Sequence, residues 1–265
     1  MPDDHAADPV ALLGLAERLA TAAAAELRNP PADLQAGAKS TPTDAVTVMD
    51  RRAEALILDG LAAERPHDRV VAEESGDNDR DAEVTWFVDP LDGTVNYLYG
   101  IPQYAVSIAA SIGDVVVAGV VADVAREETY AAVRGRGATR DGKPLRCTAQ
   151  ADPALALVGT GFAYAAAIRT EQAGVIAQLL PKVRDIRRLG SAALDLCAVA
   201  AGSLDAYYEA GMHPWDWAAG TLIAREAGAR VDGLRGRPPG AGVMLAANPQ
   251  LFGRVHDLLV AAGAT

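Results

Sequence analysis

Apolar positions recur at helical spacing from the start of the chain. Leu12, Leu15, Leu19, Ala23 and Leu27 stand three or four apart, which predicts a helix from about Pro9 to Arg28 ended by Asn29-Pro30-Pro31. After the polar, turn-rich "DLQAGAKSTPT", expected as a loop or hairpin, a second helix is expected from a Thr43 cap to about Glu64. Its stripe is Val46, Met49, Ala53, Ile57 and Leu61, with Asp50 beside it. The pattern then changes to short apolar runs. "RVVAEE" and "VTWFVDP" read as strands ending in carboxylates. "YAVSIAASIGDVVVAGVVAD" reads as a long hairpin turning at Gly113-Asp114, and "EETYAAV" as a third strand. Beyond Asp152-Pro153, strands ("LALVGT", "VRDIRRL", "SLDAYYE", "GVMLAA") alternate with helices. These are "RTEQAGVIAQLLP", "SAALDLCAVAAG" capped by Ser191 and stopped by Gly202, "PWDWAAGTLIAREAGA" with Pro214 near its start and Gly228 near its end, and "PQLFGRVHDLLVAAG". The expected class is mixed α/β (α+β). A sheet-rich part spans residues 1–150 and an α/β part spans 151–265, the two making one compact unit.

Composition narrows the function. The 265 residues suffice for a substantial core, with half of them apolar and 22% charged. A net charge of −11 argues against a broad nucleic-acid surface or an anionic membrane surface, since both are bound through Lys and Arg. An acidic protein that handles phosphate needs a local cation. Cys147 and Cys197 form no C-x-x-C pair, and the N-terminus, with Asp3, Asp4, Asp8, Glu17, Arg18 and Glu26, makes a poor secretory leader. The expected location is a reducing cytoplasm. No uncharged run reads as a membrane span.

Candidate chemistry sits where strands and turns end in carboxylates: Asp50, Glu73-Glu74, Asp89 and Asp92 in "DPLDGT", and Asp216 in "PWDW". Taken singly each has a plain explanation: a half-buried capping aspartate, a surface pair, a capped turn, an N-cap. Together they would repel unless a hard divalent cation lay between them, and Mg²⁺ takes oxygen ligands and keeps several waters. In that case Asp89 could bridge two cations and Pro90 could fix the Leu91 carbonyl as a ligand. Asp92 would stand at a helix start, and the Gly93 and Thr94 N–H groups would suit a phosphate oxygen. Other eye-catching residues carry less weight. His213 is expected in a structural role, because Mg²⁺ prefers oxygen. Trp215 and Trp217 are expected in the core, and the basic "RGRGATRDGKPLR" as a solvated turn.

"DPLDGTVNY" with "PWDWAAGTLIAREAGA" resembles the two signature motifs of the inositol monophosphatase family. "VVAEES" resembles its G-E-E-S segment, and "DAVTVMD" its D-x-V-T-x-x-D segment. "RRLGSAALDLCAVAAGSLDAYYEAGMHPWDWAAG" is similar to the bacterial inositol-1-monophosphatase subgroup. Ala72 and Ala229 stand where the family commonly has Gly; neither replaces a ligand. The resemblance implies a layered αβαβα sandwich of the inositol monophosphatase and fructose bisphosphatase type. It also implies a homodimer, common inhibition by lithium, and hydrolysis of a phosphate monoester, with inositol 1-phosphate the expected substrate and two to three Mg²⁺ per site. By the same resemblance, Glu73, Asp89 and the Leu91 carbonyl would hold the first metal, and Asp89, Asp92 and Asp216 the second. Glu73 would also touch a weaker third. Asp50 and Thr94 would orient and deprotonate the attacking water. Gly93 and Thr94 would hold phosphate, and Lys39 would act from a lid. Glu209 would accept from an inositol hydroxyl, and Gly190, Ser191 and Ala192 would line the sugar side. The alternatives are another phosphatase of the superfamily (fructose bisphosphatase, histidinol phosphatase or nucleotide 3′-phosphatase) or a regulatory binding protein associated with RNA polymerase.

Overall fold

Strand pairing resolves the chain into two sheets and a short hairpin. The computed structural model describes residues 7–38 and 45–264. In chain order the elements are α1 (Pro9–Leu27), β1 (Ala36–Ala38), β2 (Ala45–Thr47), α2 (Val48–Glu64), β3 (Arg69–Ala72), β4 (Gly76–Asp77), β5 (Val84–Asp92), α3 (Thr94–Tyr99), β6 (Ala105–Ile112), β7 (Val115–Asp123), β8 (Glu128–Val133), β9 (Ala138–Arg140) and β10 (Lys143–Pro144). They continue as β11 (Leu157–Thr160), α4 (Ala166–Leu179), β12 (Asp185–Arg187), α5 (Ala192–Ala200), β13 (Ala206–Ala210), α6 (Pro214–Glu226), β14 (Arg230–Gly233), β15 (Val243–Ala247) and α7 (Pro249–Ala261). The larger sheet has eight strands in the order β10-β9-β8-β7-β6-β5-β3-β4, and the smaller has five, β12-β11-β13-β15-β14. In the larger sheet only β3 and β5 run parallel.

The central strands are buried on both faces, which is why they read as unbroken apolar runs rather than alternating ones. Side chains still divide with period two. Val106, Ile108 and Ala110 meet the residues of α1 and α2, such as Leu15, Leu19, Ile57 and Leu61. Ala105 and Ala109 meet Ala193, Cys197, Ala219 and Ile223 of α5 and α6. The other sides of α5 and α6, through Leu196, Val199 and Ala224, pack on Tyr207 and Met244 of the smaller sheet. That sheet's far face, with Val158, Tyr208 and Leu245, is covered by Leu179 of α4 and by Leu251 and Val255 of α7. The layers are therefore helices, sheet, helices, sheet, helices, the expected αβαβα sandwich. Gly119 of β7 lets α6 lie close: a Cβ there would stand 3.0 Å from the Ala219 Cα.

Two boundaries differ from the sequence expectation. Helix α2 begins at Val48 under a Thr47 cap, not a Thr43 cap; Thr43 lies outside the described residues, and residues 45–47 pair with β1 as a hairpin. The Thr47 hydroxyl accepts the Met49 N–H at 3.0 Å, and the Asp50 carboxylate accepts the Thr47 N–H at 2.7 Å, a reciprocal box that fixes the start. Strand β5 also runs past Pro90 to Asp92, so Asp92 ends a strand and does not open the helix.

Candidate active site

The spacing of Asp89 and Asp92 is resolved by a bulge. Along β5, Asp89 pairs with Ser107 and Asp92 with Ala105, so three steps on one strand match two on the other. Residues three apart in a regular strand face opposite sides. The extra residue at Pro90-Leu91 reverses that parity and lets both carboxylates face one cavity. Pro90 suits the position because it has no N–H to leave unpaired. The Leu91 side chain is buried in the core, and its N–H donates to Asp89 Oδ1 at 3.0 Å. Glu73 arrives from β3. Ala72 pairs with Val88, and the Glu73 N–H donates to the Val88 carbonyl, so Glu73 comes level with Asp89. Asp216 sits in the first turn of α6, where its carboxylate accepts the His213 N–H at 2.6 Å.

Asp92 is tied to the second half of the chain. Its Oδ2 accepts from the Ser191 hydroxyl at 2.6 Å and from the Ala193 N–H at 2.8 Å, at the start of α5. Burial pushes its carboxyl up to about 6, against the pull of those hydrogen bonds. Asp89 is pushed well above the ordinary carboxylate range, by burial first and then by Glu73, Asp92 and Asp216; Asp216 is raised by burial and by Asp92, Glu73 and Glu209.

Behind this wall Asp50 is fully buried. Its Oδ2 accepts from the Thr47 N–H and from the Thr47 hydroxyl at 2.6 Å, and its Oδ1 lies 2.9 Å from the Thr94 hydroxyl. Thr94 Oγ1 is also 3.0 Å from the Leu91 carbonyl, so its single proton has two acceptors to choose between. Asp50 does not reach the cavity, whereas Thr94 lines it.

The cavity measures about 550 Å³. Glu73, Asp89, Leu91, Asp92, Gly93, Thr94, Gly190, Ala192, Glu209 and Asp216 all line it, as expected from the sequence. Ser191 stands behind the wall, buried, capping α5 and donating to Asp92. Lys39 lies outside the described residues. Gly93 takes a left-handed backbone (φ 95°) that a side chain could not share, since a Cβ would come 2.8 Å from the Gln103 carbonyl. Glu209 is pushed up to about 7 by burial, with Tyr207 and Arg188 pulling the other way and Asp92 adding to the rise.

Trp215 departs from its expected core position. It lines the cavity with its ring stacked on His213, centroids 4.6 Å apart, while Trp217 packs into the core. Sequence reasoning also missed Arg188, the one Lys or Arg among the described residues lining the cavity, and Phe162, Tyr164 and Ile168, which line it too. Arg188 sits two residues before the Gly190 stretch, a proximity that could have flagged it. Those apolar residues carried no signal apart from following "VGTG".

Among the described residues, no three His, Cys, Asp or Glu side chains form a ready metal cage. The donor set is nonetheless all hard oxygen: carboxylates from Glu73, Asp89, Asp92 and Asp216 with the Leu91 carbonyl. Burial that disfavours so many charges in one cavity is the condition a divalent cation relieves, so these residues fit Mg²⁺ and give softer metals no thiolate or imidazole ligand.

Comparison with known proteins agrees with this geometry. The model of the inositol monophosphatase family matches residues 8–263. The inositol-1-monophosphatase of Mycobacterium bovis is 49% identical over 278 residues, covering 96% of this chain and 94% of that one. The Nus factor SuhB of Escherichia coli is 42% identical over 195 residues, 73% of each chain. The solved structure of Mycobacterium tuberculosis SuhB superposes with a TM-score of 0.83 at 46% identity, covering 97% of this chain and 99% of that one. With its layer order, its strand-end carboxylates and a family match over nearly its whole length, the chain belongs to the inositol monophosphatase family and is a phosphatase.

Proposed function

We propose that this protein is a Mg²⁺-dependent hydrolase of inositol 1-phosphate, releasing inositol and phosphate, with two to three cations per site. The observation that carries this reading is the convergence of Glu73, Asp89, Asp92 and Asp216, from three separate segments, on one cavity that Glu209 also lines. Glu73, Asp89 and the Leu91 carbonyl would hold one cation and Asp89, Asp92 and Asp216 a second, with Glu73 also reaching a third. Bound there, Mg²⁺ polarises the phosphate, acidifies a water and stabilises the leaving oxygen.

The chain's own residues supply the rest. Thr94 lines the cavity and its hydroxyl donates to Asp50, so a lone pair is left to accept from an attacking water. Asp50, sealed from solvent and already accepting from Thr47, receives the proton through Thr94 rather than directly. Gly93 and Thr94 offer backbone N–H groups to the phosphate. Glu209 accepts from a ring hydroxyl of the leaving group, with Gly190 and Ala192 shaping that side and Ser191 holding Asp92 behind it. Lys39, outside the described residues, would act over the cations. Among the described residues lining the cavity there is no cysteine, which fits direct attack by water.

The expected unit is a homodimer, inhibited by lithium, in the cytoplasm; no described helix is long and apolar enough to cross a membrane. The match to proteins named Nus factor supports a second reading, a binding role beside RNA polymerase on the same fold. A panel of esters decides the first. Chelated protein should be inactive and regain turnover with Mg²⁺, with inositol 1-phosphate preferred over histidinol phosphate, fructose 1,6-bisphosphate and a nucleotide 3′-phosphate. Faster hydrolysis of histidinol phosphate would refute the substrate assignment. No Mg²⁺-dependent turnover of any ester, with retained binding to RNA polymerase, would favour the second reading.

A further inference from the structure

The stretch Gly159-Thr160-Gly161 cuts a notch beside Glu209. On the paired strands Gly159 stands opposite Tyr207 and Thr160 opposite Tyr208, so Gly161 comes level with Glu209. A Cβ on Gly159 would stand 2.7 Å from Leu204 Cδ1 and 3.3 Å from the Tyr207 ring. One on Gly161 would overlap the Glu209 carboxylate, meeting Cδ and both oxygens. Tyr207 and Glu209, two apart on β13, share a face. The fully buried Tyr207 hydroxyl donates to Glu209 Oε2, and Tyr207 Oη also lies 3.5 Å from Met212 Sδ. The carboxylate is thus clamped between a glycine and a buried phenol at the boundary of the cavity. A neighbouring cavity of about 160 Å³, lined by Val175 and Tyr208, also has Glu209 in its lining.

We propose that Gly161 and Tyr207 are positioning residues that hold the Glu209 carboxylate toward the phosphatase cavity, and that Gly161 thereby sets the preference for a polyol leaving group over simple phosphate esters. This rests on Glu209 accepting a hydroxyl of the leaving group, as proposed above. The atoms a Gly161 side chain would strike are the far end of a flexible residue. Alanine there would displace the carboxylate, since the added Cβ meets side-chain rather than backbone atoms. A site built to hydrogen-bond a substrate hydroxyl discriminates sharply, and it loses that discrimination when its acceptor is moved.

The test compares kcat/KM for inositol 1-phosphate with that for p-nitrophenyl phosphate, at saturating Mg²⁺. The variants are Gly161→Ala, Tyr207→Phe, Glu209→Ala and Gly161→Ala combined with Glu209→Ala, with circular dichroism as a folding check. Gly161→Ala should lower the ratio at least tenfold, mainly through KM for inositol 1-phosphate. Tyr207→Phe should lower it several-fold, and Gly161→Ala should add nothing once Glu209 is alanine, a non-additivity that a general packing defect does not produce. If Glu209→Ala lowers the ratio while Gly161→Ala and Tyr207→Phe leave it within twofold, the notch has no such role although Glu209 does. If Glu209→Ala leaves the ratio unchanged, the assignment of Glu209 fails and the proposal with it. Should Gly161→Ala not fold, the Tyr207→Phe and Glu209→Ala cycle decides on the same criteria.

Discussion

Replacing Asp50 with asparagine separates its two jobs. As an acceptor inside the capping box it holds the start of α2, taking the Thr47 N–H at 2.7 Å and the Thr47 hydroxyl at 2.6 Å. As the partner of Thr94, at 2.9 Å, it is the proposed proton sink. Asparagine keeps the shape. Its carbonyl can still accept from Thr47, and its amide, in place of Oδ1, donates to Thr94 Oγ1. Thr94 then turns its own proton to the Leu91 carbonyl, 3.0 Å away. The structural cost is therefore a weakened cap, about 1–2 kcal/mol, because charge-assisted hydrogen bonds become neutral ones. In a chain of this size that lowers Tm by about 2–8 °C. The catalytic cost is larger, since nothing is left to receive the proton: kcat should fall by about 10²–10⁴, the usual worth of a positioned base. Steady-state assays at saturating Mg²⁺, with calorimetry for Mg²⁺ binding, separate the effects, because Asp50 contributes no ligand and metal affinity should stay within a few-fold of wild type. A kcat within threefold of wild type would refute the relay through Thr94, however much Tm moved. Thr94→Ser should then restore most of the turnover that Thr94→Ala loses.

The remaining predictions concern protons, metal and the core. Because Glu209 is raised to about 7, the folded chain binds that proton more tightly than the unfolded chain; its contribution to stability is present at pH 4 and is lost as pH rises through 7. As the hydroxyl acceptor is the ionised form, KM for inositol 1-phosphate relative to p-nitrophenyl phosphate should rise as pH falls from 8 to 6. The midpoint should lie below 7 when bound cations offset Asp92, and Glu209→Gln should abolish the trend. Adding Mg²⁺ at a hundred times its Kd to chelated protein should stabilise it by about 2.7 kcal/mol, or about 5–10 °C in a thermal melt, and Asp92→Asn should remove most of that gain. Asp68 accepts the indole N–H of the fully buried Trp86 at 2.8 Å and a fork from Arg65; Asp68→Ala should cost about 1–3 kcal/mol in urea unfolding, and less in a Trp86→Phe background.

Much of the site was legible in the sequence, because metal-type chemistry needs carboxylates and the chain sets them where apolar runs end. The helices were legible too, since α1 and α2 each bury one face against one sheet and keep a clean period. What the sequence obscured has specific causes. Helices α5 and α6 lie between two sheets, so both faces are apolar and the layer order leaves no periodic trace. Proline normally ends a strand, yet β5 carries Pro90 inside a bulge, and only the pairing partner reveals the shift in parity. Trp215 and Trp217 look equivalent two residues apart, but the turn of α6 sends one to the cavity and the other to the core. Gly159 and Gly161 carry no functional signal in the sequence, because what a side chain there would strike is set by their neighbours on β13.

The tie between Asp92 and the start of α5 bears on the order in which the protein is made. Its partner Ser191 is translated 99 residues later, an interval of about 5–20 s at ordinary ribosomal speeds. During that time Glu73, Asp89 and Asp92 exist without the α5 donors and without Asp216. The nascent chain therefore carries an acidic half-site with neither the hydrogen bonds that aim Asp92 nor the last carboxylate. On the proposed site assignment, hydrolytic competence arrives only with the final third of the chain, and a stalled or truncated product should be inert toward phosphate esters.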